Sequence, residues 1–241
     1  MYNIDTGDIS DMSKIDYFVI SMSKCGSTSM FYALNRIKHR SALHHHSDFT
    51  LFRVFNDDKI TTNYLINERS KIDKPFYILV PYREPISRKI SQYYEYGMAT
   101  GKDIDTIKEE IKLYCMEDYS LFNKGTFTEI NEELFYGQDY MSHNKYFDKY
   151  NGYSITKSNN RNTILYTLEN TSRLEKYLQD IVHPDFKLLV DRKTIDSNYF
   201  EDVKNTIRFS NRELNSIYSS FWCDYFYTTR QVDEFKARYR I

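Results

Sequence analysis

The side chains with the greatest chemical capacity fall into three short groups. The first is Ser23-Lys24-Cys25-Gly26-Ser27-Thr28-Ser29, a run of small and hydroxylated residues holding one lysine and one glycine. Where such a segment opens a helix, free backbone N–H groups and the positive end of the helix dipole converge, and a lysine adds a full charge. The expected ligand is a phosphorylated molecule. The second group is Arg83, Arg88 and Ser91 within Pro81-Tyr82-Arg83-Glu84-Pro85-Ile86-Ser87-Arg88-Lys89-Ile90-Ser91. Arg83 offers a planar fork for a phosphate and Ser91 a hydroxyl beside it. Arg88, three residues before Ser91, shares its helical face. The third group is His44-His45-His46, three of the six histidines. On a strand, His44 and His46 face one side and His45 the other. An imidazole there suits a general base, His46 ahead of His44. A metal reading of His-x-His needs a third ligand that the sequence does not supply, so no metal is expected.

These groups need elements to hold them. Tyr17–Met22 reads as a buried strand and Thr28–Lys38 as a helix, so the first group sits at a strand-to-helix junction. Ala42–His46 reads as a short second strand and Ile60–Arg69 as a helix. Phe76–Pro81 reads as a third strand, Ile86–Tyr96 as a helix and Ile104–Glu117 as a further amphipathic helix. Residues 118–160 carry no clear pattern and read as loops and short helices walling a cleft. Thr163–Leu168 reads as a fourth strand, Thr171–Val182 as a helix capped by Thr171 or Asn170, and Phe186–Val190 as a short strand. Glu213–Phe226 and Val232–Tyr239 read as C-terminal helices. Strands alternating with helices imply an α/β fold with a mostly parallel central sheet. Ligands of such sheets sit beyond the carboxyl ends of the strands, where the first two groups fall.

Composition narrows the function classes. The chain has 241 residues, 41% hydrophobic and 28% charged, enough to bury roughly three quarters of its unfolded surface in one core. Residues 1–15 read as a flexible leader and 16–241 as a single domain. A net charge of −1 excludes the broad basic field of a general nucleic-acid binder, so any anion site is a local pocket. No stretch approaches the ~20 apolar residues of a membrane span. The polar, acidic N-terminus lacks the basic and apolar regions of a signal peptide. Three widely spaced cysteines suit a reducing compartment, and the expected location is cytoplasmic. The 23 tyrosines and 16 phenylalanines read as core material. Tyr93, Tyr94 and Tyr96, candidates for stacking on a base, read first as helix packing.

Lys24 precedes Gly26 instead of following a second glycine, so the loop departs from the GxxxxGK[ST] pattern of ATPases and GTPases. The order Lys24-Cys25-Gly26-Ser27-Thr28-Ser29 after a strand resembles the 5′-phosphosulfate loop of sulfotransferases. The segment from Arg83 to Tyr93 resembles their R-x-P-x-x-R-x-x-S-x-[YF] motif, which grips the 3′-phosphate of 3′-phosphoadenosine 5′-phosphosulfate (PAPS). More diffusely, His143–Asp148, Thr163–Glu169 and Leu214–Phe235 resemble the sulfotransferase-like capsular polysaccharide synthesis proteins, with Tyr146 where that family has Trp.

The resemblance implies a three-layer, P-loop NTPase-like fold flanked by helices, with PAPS as cosubstrate, 3′-phosphoadenosine 5′-phosphate (PAP) as product and a carbohydrate acceptor. It assigns Lys24 to the bridging and sulfuryl oxygens, and Cys25, Gly26, Ser27, Thr28 and Ser29 to the 5′-phosphate. Arg83, Ser91 and Arg88 fall to the 3′-phosphate. Arg192 and Lys193 match a basic loop late in the family's chains, and Arg161 is a further candidate to close over the nucleotide or acceptor. Glu169 matches a strand-end acidic residue, and because other sulfotransferases use a glutamate as base, Glu68 is a remote competitor for that role. Two alternatives stand beside this one: a nucleoside or nucleotide kinase using ATP and Mg²⁺, and a non-catalytic protein that holds PAP or a polysaccharide.

Overall fold

The computed structural model describes residues 11–37, 41–46, 48–122, 147–188 and 199–241. They pack into two compact units: the described parts of Met1–Tyr82 and Thr128–Asp191 form the first, those of Arg83–Phe127 and Arg192–Ile241 the second. The fold is mixed α/β with a five-stranded, mostly parallel sheet, and that sheet lies wholly in the first unit.

The strands are β1 (Tyr17–Ile20), β2 (Ala42–His45), β3 (Phe76–Tyr82), β4 (Tyr153–Ser158) and β5 (Arg161–Thr167), in spatial order β2-β1-β3-β5-β4. β1 pairs in parallel with both β2 and β3, and β3 in parallel with β5. All four residues of β1 are buried, so its sequence is a continuous apolar run without alternation, as a parallel strand covered on both faces requires. Tyr17 and Val19 of β1, Leu79 of β3 and Ile164 and Tyr166 of β5 form one core with two helices. Those helices are α1 (Ser27–Asn35), through Met30, Phe31 and Leu34, and the helix Thr171–Ile181, through Leu174 and Leu178. The segments Asp48–Phe55 (α2) and Thr62–Ser70 (α3) complete the helices before β3.

β4 is a strand that sequence reading assigned to the patternless middle. It pairs antiparallel with β5, and the hairpin turns at Asn159, whose φ is +52°. Tyr153 and Ile155 pack on the core, with Ser154, Thr156 and Ser158 alternating between them. The period of two was present but short and weakly apolar. Gly152 precedes β4 with φ +74°, and a Cβ there would stand 2.2 Å from that of Asn170, so only glycine fits. Phe186, Lys187 and Leu188 do not form the strand expected over 186–190; residues 189 and 190 lie outside the described residues. Phe186 instead closes the core as a buried anchor, its carbonyl accepting from Gln179 Nε2 at 3.0 Å.

The amino edge of the sheet is tied by Arg69 of α3, which is fully buried. Its Nε donates to Ile15 O at 2.7 Å, Nη1 to Lys74 O at 3.0 Å and Nη2 to Pro75 O at 3.2 Å, and the guanidinium lies 4.9 Å from the Phe76 ring centroid. One rigid fork thus fixes the chain entering both β1 and β3. Beside it Lys74 Nζ pairs with the buried Asp16 carboxylate at 2.7 Å, and Asn160 Nδ2 donates to Ile72 O at 2.6 Å.

The second unit holds α4 (Pro85–Glu95), α5 (Ile104–Phe122), α7 (Phe200–Thr206), α8 (Asn211–Tyr218), α9 (Phe221–Phe226) and α10 (Thr229–Tyr239), with Thr171–Ile181 of the first unit numbered α6. The single helix expected over Glu213–Phe226 is two. Ser219 and Ser220 break it, and Ser220 Oγ accepts from Cys223 N to cap α9. Ser210 and Thr228 each form a capping box, for α8 and α10. No helix among the described residues is long and apolar enough to cross a membrane.

Replacing Arg69 by alanine leaves several buried carbonyls without a donor and should cost about 3 kcal/mol or more in urea unfolding. Arg69→Lys should recover only part of that. A loss below about 1 kcal/mol for Arg69→Ala would show that the fork does not hold the edge.

Candidate functional site

After β1 the chain keeps one further contact with β2, Ser21 N to His45 O at 3.3 Å, and then turns. Lys24 and Gly26 both lie in the left-handed region, with φ +66° and +77°. The conformation costs a non-glycine residue roughly 1–2 kcal/mol, so Lys24 is held there by its surroundings. At Gly26 a Cβ would come within 2.5 Å of Leu168 Cδ1. Gly26 is the N-cap of α1 and offers no side chain to it; the first intrahelical bond is Met30 N to Gly26 O at 3.2 Å. The N–H groups of Ser27, Thr28 and Ser29 therefore have no intrahelical acceptor, and no acidic residue occupies the first turn. The first turn of α1 thus brings no carboxylate of its own to the positive end of the helix, where the dipole favours negative charge. Ser27 is buried, while Lys24, Thr28 and Ser29 are half-buried. The Cys25 side chain is fully buried beside the Tyr166 phenol, so what it can give an anion is its backbone.

The histidines divide as the strand period requires. His45 is buried, paired in register with Ile20, and His44 and His46 are half-buried on the other side. Their rings stand edge to face, centroids 4.7 Å apart. His44 Nε2 lies 2.8 Å from Ser27 Oγ, so β2 reaches into the first turn of α1. His46 Nδ1 lies 2.7 Å from Ser21 O. A carbonyl only accepts, so Nδ1 carries the hydrogen, and in the neutral ring Nε2 carries the lone pair. Burial, helped by His46 and then His45, pushes His44 down to about 3. The two candidate bases are thus unlike: burial keeps His44 neutral beside a serine hydroxyl, whereas His46 is anchored through Nδ1 to the Ser21 carbonyl.

Within the second unit, Arg83 Nη1 donates to Ser91 Oγ at 3.0 Å, bringing the two proposed phosphate ligands together. Glu84, not singled out in the sequence, creates this geometry. It is the N-cap of α4, its carboxylate accepting from Ile86 N at 2.8 Å and Ser87 N at 2.7 Å, with Pro85 opening the helix. Tyr218 Oη donates to the same buried carboxylate, and burial followed by that charge raises the Tyr218 phenol well above its ordinary value. Arg88 is buried and its Nη1 donates to Gln92 Oε1 at 3.3 Å. Lys89 is also buried, its Nζ 3.9 Å from the Tyr114 ring centroid. Burial, with Arg88 adding to it, lowers the Lys89 amine to about 7.

Of the three tyrosines read as helix packing, Tyr93 and Tyr94 of α4 pack and Tyr96, its C-cap, does not. Tyr93 is buried and its Oη donates to Glu110 Oε2 at 2.6 Å, Tyr94 meets Phe200 edge to face at 5.1 Å, and Tyr96 is exposed.

Three sequence candidates belong elsewhere. Arg161 opens β5 opposite Phe76, at the amino edge of the sheet, away from the loop after β1. Glu68 pairs with Lys71 at 2.5 Å on α3. Glu169 is exposed in a 3₁₀ turn after β5. Arg192 and Lys193, and His143 to Tyr146, lie outside the described residues. All three cysteines are free and buried, and burial pushes the Cys115 thiol up to about 12. Comparison with family models, curated proteins and solved structures yields no match.

Two outcomes check this geometry. Gly26→Ala should destabilise the chain by about 1–3 kcal/mol in urea, since neither φ nor space suits a Cβ; an unchanged midpoint would remove the left-handed cap. For His44 the folded value of about 3 lies below the unfolded 6.5. Within that window the unfolded chain binds the extra proton, so stability falls as pH falls. His44→Gln should make the decline from pH 7.5 to 5 shallower than in the wild type. Identical declines would contradict a neutral His44.

Proposed function

We propose that the chain is a PAPS-dependent sulfotransferase of P-loop-like architecture, acting on a carbohydrate hydroxyl. The observation that carries the reading is the junction of β1 and α1. Lys24 and Gly26 turn left-handed there, ahead of a first helical turn of three hydroxyl residues with no carboxylate. Its chemistry suits the 5′-phosphosulfate end of the nucleotide, with Lys24 supplying charge and Ser27, Thr28 and Ser29 supplying N–H and O–H donors. The Arg83–Ser91 pair supports the 3′-phosphate assignment independently, because it presents a fork and a hydroxyl already oriented by one hydrogen bond.

In this reading the acceptor oxygen attacks sulfur while the bond from sulfur to the 5′-phosphate oxygen breaks. His46 Nε2 takes the acceptor proton, its Nδ1–H held by Ser21 O. Lys24 and the first-turn donors hold the negative charge that grows on the departing 5′-phosphate, which leaves as part of PAP. The choice of a carbohydrate rests on the sequence resemblance.

Calorimetry with PAP, AMP and ATP·Mg²⁺ tests the reading. Binding that depends on the 3′-phosphate supports it, and a preference for ATP·Mg²⁺ sinks it in favour of a kinase. Arg83→Ala should weaken PAP by about 1.5–3 kcal/mol, the range for a lost hydrogen bond to a charged group. With PAPS and a sulfate acceptor, Lys24→Ala should depress kcat more than KM, because it acts on charge that appears in the transition state. His46→Ala with unchanged kcat would move the base elsewhere.

A further inference from the structure

Ser27 and His44 form a contact that the sulfotransferase reading does not require, and it constrains how the loop can meet an anion. A serine hydroxyl has one hydrogen and two lone pairs. At 2.8 Å from His44 Nε2, Ser27 Oγ has two options. It can donate to the imidazole, which turns its lone pairs toward whatever the loop binds. Or it can accept from an Nε2–H, which leaves its own hydrogen for the ligand. Only the second suits an anion at the end of α1.

We propose that His44 is a positioning residue: its Nε2–H donates to Ser27 Oγ and so aims the Ser27 hydroxyl hydrogen at an oxygen of the bound 5′-phosphate. The ligand's identity in that statement rests on the sulfotransferase reading; the direction of the hydrogen bond does not. The surroundings hold the ring for this task. From β2 and its end, His46 packs edge to face at 4.7 Å and is itself fixed to Ser21 O; from α1, Phe31 lies 5.7 Å away. The titratable groups whose charge acts on His44 are His46 and His45, and both disfavour its protonation. A ring kept neutral in this way donates through one nitrogen without adding a cation that varies with pH. By residue type His44 is a second candidate base; its contact with Ser27 instead suits it to orient a loop hydroxyl, distinct from the proton acceptor.

The test has a part that needs no ligand. Long-range ¹H–¹⁵N correlation spectra of the histidine-labelled wild-type chain, from pH 5 to 8, should show His44 as the neutral Nε2–H tautomer throughout. An Nδ1–H tautomer, or titration within that range, overturns the proposal. The second part is a double-mutant cycle read by calorimetry with PAP and, separately, with ATP·Mg²⁺. His44→Phe keeps a ring but no donor and should weaken the nucleotide that the wild type binds about tenfold, as should Ser27→Ala. The double variant should be no weaker than either single one, since the two residues act as a unit. His44→Gln, whose amide can place an N–H near the Nε2 position, should recover affinity to within about threefold of wild type. Losses that multiply in the double variant, or a His44→Phe chain that binds as wild type does, overturn the proposal. If His44→Phe does not fold, His44→Gln and the tautomer spectrum decide. A wild-type chain that binds ATP·Mg²⁺ and not PAP defeats the sulfotransferase reading alone, and the cycle is then read with ATP.

Discussion

The position of β1 governs much of the first unit. It is hydrogen-bonded to a parallel neighbour on each side and buried along its whole length, so between Tyr17 and Ile20 it can expose no polar group. Every requirement for polarity is displaced to its two ends. At the amino end the solution is structural: the buried guanidinium of Arg69 holds the backbone entering β1 and β3, and Lys74 answers Asp16. At the carboxyl end the chain breaks at once into hydroxyl residues, a lysine and a glycine, and starts a helix whose first turn holds no acidic residue. Among the described residues, the amino end of β1 is held by charged side chains and the carboxyl end is rich in hydroxyl and N–H groups.

That asymmetry explains which parts were legible in the sequence. β1, β3 and the junctions after them were readable because a strand buried on both faces leaves a continuous apolar run, and a run has visible ends. Ile20 to Ser21 is one such end, and the Pro85 that opens α4 marks another. β4 was not readable, since Tyr153 and Ile155 are only two apolar residues of its core-facing period, and its pairing is set by distant residues of β5. The break between α8 and α9 was missed for the opposite reason. Leu214, Ile217 and Phe226 sustain a helical pattern across it, and the serines that end one helix and cap the next look unremarkable in a polar stretch. Phe186 misled by type, a buried aromatic in a β-rich run that serves as a plug outside any ladder.

The site was legible by residue type but not by role. A sequence shows that Glu84, Lys89 and Arg88 are charged; it does not show that all three are buried. A glutamate is not a usual N-cap, yet Glu84 caps α4 with both oxygens and takes a tyrosine hydroxyl as well. Its charge sits at the positive end of α4, where the helix dipole favours it. The contrast with α1 is informative. Both helices begin after a parallel strand, but α4 carries its own carboxylate at the N-terminus and α1 carries none. The positive end of α4 is thus answered by a carboxylate of the chain itself.

The same argument separates the histidines. His44 resists protonation, because burial raises the cost of its charge and His46 and His45 beside it add to that cost. The protein resolves the conflict through geometry. His45 is turned into the sheet, His44 is committed to a hydroxyl of α1, and His46 is tied by Nδ1 to the Ser21 carbonyl at the end of β1. In the proposed reading, the imidazole fixed in one tautomer receives a proton, and the desolvated one beside it gives direction to a neighbouring hydroxyl. The strand period of two alone would make His44 and His46 equivalent. Their difference arises because β2 places His44 opposite the first turn of α1, while His46, beyond the last paired residue, meets the backbone where β1 ends.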